Sequence, residues 1–165
     1  MDHVVKSNMR YFSEQLKFET APTYDGYIFY DSEENVLYTR EDMDIITLCH
    51  EVGHIATCRI LYDRKIAKGP SVLREVNYAI TVFAHGSPHW FHELCADYMG
   101  YWIGRRYNLA KLKNWQDWFN APLPLDEIDT KTHPSFPRRR RIQQMLITQM
   151  SGNWKKRNPV YFMNL

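Results

Sequence analysis

The sequence predicts an α+β fold, mostly helical, with one small β-sheet or hairpin beside a long buried helix. Three observations carry this expectation. Residues from Ile45 to Leu61 are apolar almost all round, so a helix through them should be enclosed rather than laid on a surface. Two short aromatic and β-branched runs, Tyr27-Ile-Phe-Tyr30 and Val36-Leu-Tyr-Thr39, flank the polar stretch Asp31-Ser-Glu-Glu-Asn35, which is a hairpin pattern. The other long segments have helical spacing punctuated by Pro and Gly.

Taken in order, the first helix should run from about Val4 to Phe18, with Val4, Val5, Met9, Phe12 and Leu16 on one face. The hairpin follows. Thr39, three residues before Asp42, resembles a weak capping box that opens the buried helix, which should end near Tyr62. Lys68-Gly-Pro70 breaks the chain, and Ser71 can cap a helix through about Ala84. Gly86-Ser-Pro88 breaks it again, with Ser87 as cap and Pro88 in the first turn of a helix through about Tyr107. A short helix fits residues 110–119, a Pro-punctuated loop runs from Ala121 to Pro137, and a last helix spans Arg138 to Met150. The tail Asn158 to Leu165 is apolar for an exposed terminus, and two readings stand open for it: docking on the domain, or lying in a cleft as a self-inhibitory peptide.

The chain has 165 residues, 44% hydrophobic and 24% charged, the composition of one globular domain over residues 1–165 and not of a disordered chain. No apolar run approaches the roughly 20 residues that span a bilayer, and Met1 to Phe12 has no secretory core, so no membrane insertion is expected. Three cysteines, Cys49, Cys58 and Cys95, form no C-x-x-C pair, which points to a reducing, cytoplasmic compartment. The net charge of +2 conceals a division. Residues 1–129 hold 13 Lys/Arg against 19 Asp/Glu, or −6, and the basic segment 130–165 holds eight and no acid, or +8.

Within the buried helix lies His50-Glu51-Val52-Gly53-His54, the pattern H-E-x-x-H. Residues four apart share a helix face, so both imidazoles can hold one Zn²⁺ at about 2.0–2.1 Å, with Glu51 beside the metal as a general base toward water. Two His and a Glu in an apolar helix cost several kcal/mol to bury unless paired or metal-bound. The metzincin extension is excluded because positions 57 and 60 hold Thr and Ile. Cys49 and Cys58 flank the motif and are read as core thiols. A third ligand is needed, and Glu75 and Glu93 are the candidates. Trp90, Phe91, Leu94 and Ala96 around Glu93 argue for burial and favour it. Its E-x-x-x-D spacing puts Asp97 one turn away, where it can orient a liganding imidazole. His85, His89 and His92 crowd the same region, but Gly86-Ser-Pro88 keeps His85 off the face of the other two.

The three motifs His50-Glu-Val-Gly-His54, Glu93-Leu-Cys-Ala-Asp97 and Thr132-His-Pro-Ser135 with its following Arg-Ile helix resemble, in that order, the gluzincin metallopeptidases. The pattern is most similar to the soluble catalytic core of the CAAX-protease and heat-shock protease family, over about residues 36–145. That resemblance implies a minimal zincin fold, with His50, His54 and Glu93 as zinc ligands, Glu51 as general base and Asp97 behind a ligand. It also implies that His133 steadies the oxyanion, helped by an arginine. Arg139 has the family's distance from the His, whereas Arg141 has its Ile neighbour. Those relatives are membrane-embedded, and this chain has nothing to embed. A shorter stretch, Val36 to Thr39 with Thr47-Leu-Cys-His-Glu51, is similar to the soluble ImmA/IrrE peptidases. In gluzincins an edge strand there pairs with an extended substrate, so Val36 to Thr39 is expected to take that role.

The function so implied is hydrolysis of a peptide bond in a peptide or protein partner. Two alternatives stand beside it. One is a zinc-stabilised regulatory or binding protein without catalysis. The other is a nucleic-acid-associated metalloprotein using Arg138-Arg-Arg-Arg141 and Trp154-Lys-Lys-Arg157, where basic and aromatic residues mix. The blander reading of that basic end, a solvated helix face plus an exposed tail, is preferred, with at least one arginine turned toward the acidic body. Docking across the active-site cleft is the first explanation to test and nucleic acid the second.

Overall fold

The first helix, α1 (His3–Leu16), starts where the Asp2 side chain accepts a hydrogen bond from the Val4 backbone N–H at 2.7 Å. It ends where Lys17 turns into the left-handed region at φ +56°. The computed structural model describes residues 1–62, 88–106 and 128–150. Among these the order continues with β1 (Glu19–Pro22), β2 (Phe29–Asp31), β3 (Val36–Thr39), α2 (Ile45–Tyr62), α3 (Pro88–Arg106) and α4 (Phe136–Met150). Four helices and a three-stranded sheet make the described part α+β, as the sequence predicts.

The expected hairpin forms. β2 and β3 pair antiparallel, Tyr30 opposite Leu37, across a turn in which Asp31 Oδ1 accepts the N–H groups of Glu33 and Glu34. The sheet has a further strand, β1, which pairs parallel to β3 from Glu19↔Val36 to Pro22↔Thr39. The strand order is therefore β1-β3-β2, and β3 is central. This corrects the expectation that Val36 to Thr39 is the open edge. Both of its sides are occupied, and among the described residues β1 and β2 are the outer strands, β2 being the one beside α2.

Other boundaries shift for local reasons. Asp44, not Thr39 with Asp42, caps α2: its carboxylate accepts the Thr47 N–H at 2.7 Å and its carbonyl the Leu48 N–H at 3.0 Å. The last helix begins two residues earlier than Arg138. Ser135 accepts the Arg138 N–H with its hydroxyl and the Arg139 N–H with its carbonyl, so Pro137 sits in a first turn instead of blocking it. The helices expected near 71–84 and 110–119, Glu75, His85, Ser87, Tyr107, the Trp154 to Arg157 cluster and the apolar tail lie outside the described residues.

One apolar cluster joins every described helix to the sheet. Phe12 from α1, Leu37 from β3, Leu48 and Ile55 from α2, Leu94, Met99 and Ile103 from α3, and Ile142 from α4 are all essentially inaccessible. The central contact is α2 against α3, and it is unusually close. A Cβ on Gly53 would lie 2.2 Å from the Ala96 carbonyl oxygen, so only glycine permits this crossing. The crossing places the middle of the H-E-x-x-H turn directly over Glu93-Leu-Cys-Ala-Asp97. Arg59 of α2 completes the frame, donating to the Leu16 carbonyl at 3.1 Å and to Asn35 Oδ1 at 2.8 Å. No described helix is long and apolar enough to cross a membrane.

Candidate metal centre

Helix α2 supplies the first half of the site. One donor atom from each of His50, Glu51 and His54 lies within 4.8 Å of the others, and this group can hold a metal ion. Helix α3 supplies the second half through the close crossing at Gly53. Glu93 Oε2 lies 3.1 Å from His50 Nε2, and Glu93 Oε1 lies 3.3 Å from His54 Nε2. The loop before α4 brings His133 Nε2 to 3.4 Å from the same Glu93 Oε1. Three imidazoles from two separate parts of the chain thus face one nearly buried carboxylate.

A divalent cation fits this set. Glu93 Oε2 is buried and lacks a hydrogen-bond partner although an imidazole nitrogen stands at 3.1 Å. An orphaned carboxylate oxygen beside imidazole nitrogens is costly unless a cation joins them. Nitrogen and oxygen donors of this kind suit several divalent metals, zinc among them.

Electrostatics bind the cluster together. Burial works against a proton on His50, but its hydrogen bond to Asp97 and the negative charges of Asp97 and Glu93 outweigh it and push the imidazole up to about 10. The two carboxylates that attract that proton attract a cation equally, so metal and proton compete for His50. Burial alone would raise the Glu93 carboxyl. The imidazoles of His50 and His54 prevail and hold it well below the usual carboxylate range. Glu51 moves the other way. Burial raises it, with the two imidazoles and the Tyr30 backbone opposing. A carboxyl whose proton affinity burial raises, standing beside a candidate metal position, is suited to accepting a proton from water.

Behind the metal position lies a fully buried carboxylate. Asp97 Oδ1 pairs with His50 Nδ1 at 2.9 Å, which leaves Nε2 as the nitrogen turned toward Glu93. Arg139 then clasps Asp97 with both arms of its guanidinium: Nε donates to Oδ2 at 2.7 Å and Nη2 to Oδ1 at 2.6 Å. This corrects the expected place of Arg139. It lies on the Asp97 side of His50, buried, and does not line the cavity beside His133. Arg141, the rival by sequence, is exposed and does not line it either. Helical phase decides the matter. Arg139 lies on the same face as Ile142 and Gln143, which are also buried against the core.

A cavity of about 580 Å³ opens over the cluster. It is lined by His50, Glu51, His54, Glu93 and His133, and by Tyr27 to Tyr30 and Ser32 in and around β2. Cys58 and His92 complete it. Cys58, expected from the sequence to be a core thiol, is only half-buried and lines the cavity. The signal was available, since Cys58 is one turn beyond His54 on the face that carries His50. Cys49 is buried, as expected. His92 faces the cavity while His89 is exposed, so these two do not converge.

No family model, curated protein or solved structure matches this chain.

Proposed function

We propose that the protein is a zinc-dependent endopeptidase with a minimal zincin fold of the gluzincin type. The observation that carries this reading is Glu93. It is nearly buried, has an orphaned oxygen, and stands within 3.1–3.3 Å of the two H-E-x-x-H imidazoles while Glu51 lies beside them. His50, His54 and Glu93 would hold the metal, which when bound supplies an acidified water and a polarised carbonyl. Glu51 accepts the proton of the attacking water and hands it to the leaving amine. His133 Nε2 donates a hydrogen bond to the oxygen that gains charge in the tetrahedral transition state, a contribution typically of about 2.7–4 kcal/mol.

The cavity wall supports a peptide as substrate. β2 is an outer strand, so an extended chain laid along it gains main-chain hydrogen bonds next to Glu51. The nucleic-acid alternative has less support, because Arg138 and Arg139 are both engaged with carboxylates of the same chain.

The test is cleavage of a peptide library with zinc content measured in parallel. Glu51→Gln should keep its zinc and lose turnover by about 10²–10⁴-fold, whereas His54→Ala should lose the metal itself. A Glu51→Gln variant with full turnover, or zinc bound equally by His54→Ala, overturns the proposal.

A further inference from the structure

The most buried ionic contact among the described residues joins α4 to the metal helices and is separate from the cavity. Asp97 is completely inaccessible and Arg139 is 7% exposed. Every oxygen of the carboxylate is used: Oδ2 by Arg139 Nε, and Oδ1 by both Arg139 Nη2 and His50 Nδ1. A carboxylate attached only to an imidazole can rotate about its own bond. A guanidinium fork across both oxygens removes that rotation, because its two N–H vectors are parallel and fixed. The Phe136 ring, 4.8 Å from the Arg139 guanidinium, covers the fork from α4 itself.

We infer that Arg139 is a positioning residue: by fixing the plane of Asp97 it fixes the ring of His50, and so sets how tightly the site holds its metal. This rests on the reading of His50 as a metal ligand. Coupling runs in both directions, since whatever tightens the metal must also tighten the docking of α4. The helix that carries Arg139 is the one His133 leads into, so one side chain ties metal loading to the docking of the helix that follows the His133 loop.

The experiment measures the Zn²⁺ dissociation constant by competition with a chromophoric chelator, and the electronic spectrum of the Co²⁺-loaded protein. Arg139→Met should weaken Zn²⁺ binding about 10–100-fold and alter the cobalt bands. Arg139→Lys, which keeps charge but not the fork, should fall at the lower end of that range. Asp97→Asn should lose as much as Arg139→Met, and the double variant should be no worse than Asp97→Asn alone. Arg141→Met, an exposed change on the same helix, should bind zinc like the wild type. Wild-type zinc affinity in a folded Arg139→Met protein overturns the inference, and so do additive losses in the double variant. A fall in kcat at saturating zinc with unchanged affinity also overturns it, and returns Arg139 to the oxyanion. Should Arg139→Met not fold, Arg139→Lys decides: wild-type affinity and spectrum there refute the role of the fork. Both readouts are of metal, so they decide this question even for a protein that cleaves no peptide. A wild type that binds neither ion overturns both readings.

Discussion

Asp129 stands four residues before His133, at the start of the stretch that leads into α4. Its carboxylate accepts the Ser135 backbone N–H at 2.8 Å and a fork from Arg138, with Nε at 3.1–3.2 Å and Nη2 at 2.8 Å. The Arg138 guanidinium lies 5.3 Å from the Trp90 ring, whose indole N–H donates to the Thr130 carbonyl at 3.0 Å. His133 is therefore presented by a latch built from both ends of its loop. The Arg138 hydrogen bond, assisted by the Ser135 N–H, holds the Asp129 carboxyl down to about 2 against an ordinary value of 3.8. A carboxyl depressed in the folded state stabilises it above the ordinary value, and that stabilisation disappears as pH falls toward 2. Asp129→Asn should consequently melt below the wild type at pH 6, with the gap closing between pH 4 and pH 2. Parallel melting curves across that range would show that the latch contributes nothing to stability. At this scale the sequence was legible wherever a motif is local: His50, Glu51 and His54 from four-residue spacing, and Asp97 from its distance to Glu93. The place of Arg139 was not, because its partner lies 42 residues earlier and no local pattern encodes that contact.

The pairing of α2 with α3 depends on the absence of one side chain. With the Ala96 carbonyl 2.2 Å from where a Gly53 Cβ would sit, and backbone rather than a flexible side chain on the far side, an added methyl must push the helices apart. Overpacking of this kind typically costs about 1–3 kcal/mol. Gly53→Ala should lower the urea midpoint accordingly, and it should also weaken metal binding, because His50 and His54 lie on one helix and Glu93 on the other. A Gly53→Ala protein with wild-type stability and zinc affinity would show that the crossing can relax without disturbing the site. Elements with a strong period were readable from the sequence: α2 from its apolar run, and the β2–β3 hairpin from its aromatic runs. β1 was not. Glu19-Thr-Ala-Pro22 is mostly exposed, shows no alternation and ends on proline, so only its partner β3 makes it a strand. That hidden strand takes the side of β3 that a hairpin alone leaves free, so among the described residues the outer strand beside the cavity is β2.

Across the whole chain, the division between an acidic body and a basic end is met inside the fold where both sides are described. Arg138 pairs with Asp129 and Arg139 with Asp97, both acids from the acidic portion. The docking of α4, the presentation of His133 and the orientation of His50 are therefore parts of one connected structure built around the candidate metal site. Connected parts should lose stability together. A ligand that binds only the folded chain stabilises it by about 2.7 kcal/mol when present at 100 times its dissociation constant. For a chain of this length that corresponds to roughly 5–10 °C in melting temperature. Stripping zinc with a chelator should lower Tm by about this amount, and restoring zinc should recover it. Hydrogen exchange should rise most at the α2–α3 crossing and in residues 129–139, and least in α1, whose buried face at Val5, Phe12 and Leu16 has no part in the cluster. If exchange rose uniformly, metal would merely stabilise the fold as a whole. If neither Tm nor exchange responded to zinc, the polar cluster at Glu93 would have to be held by its protons alone, and the metal reading would fall with it.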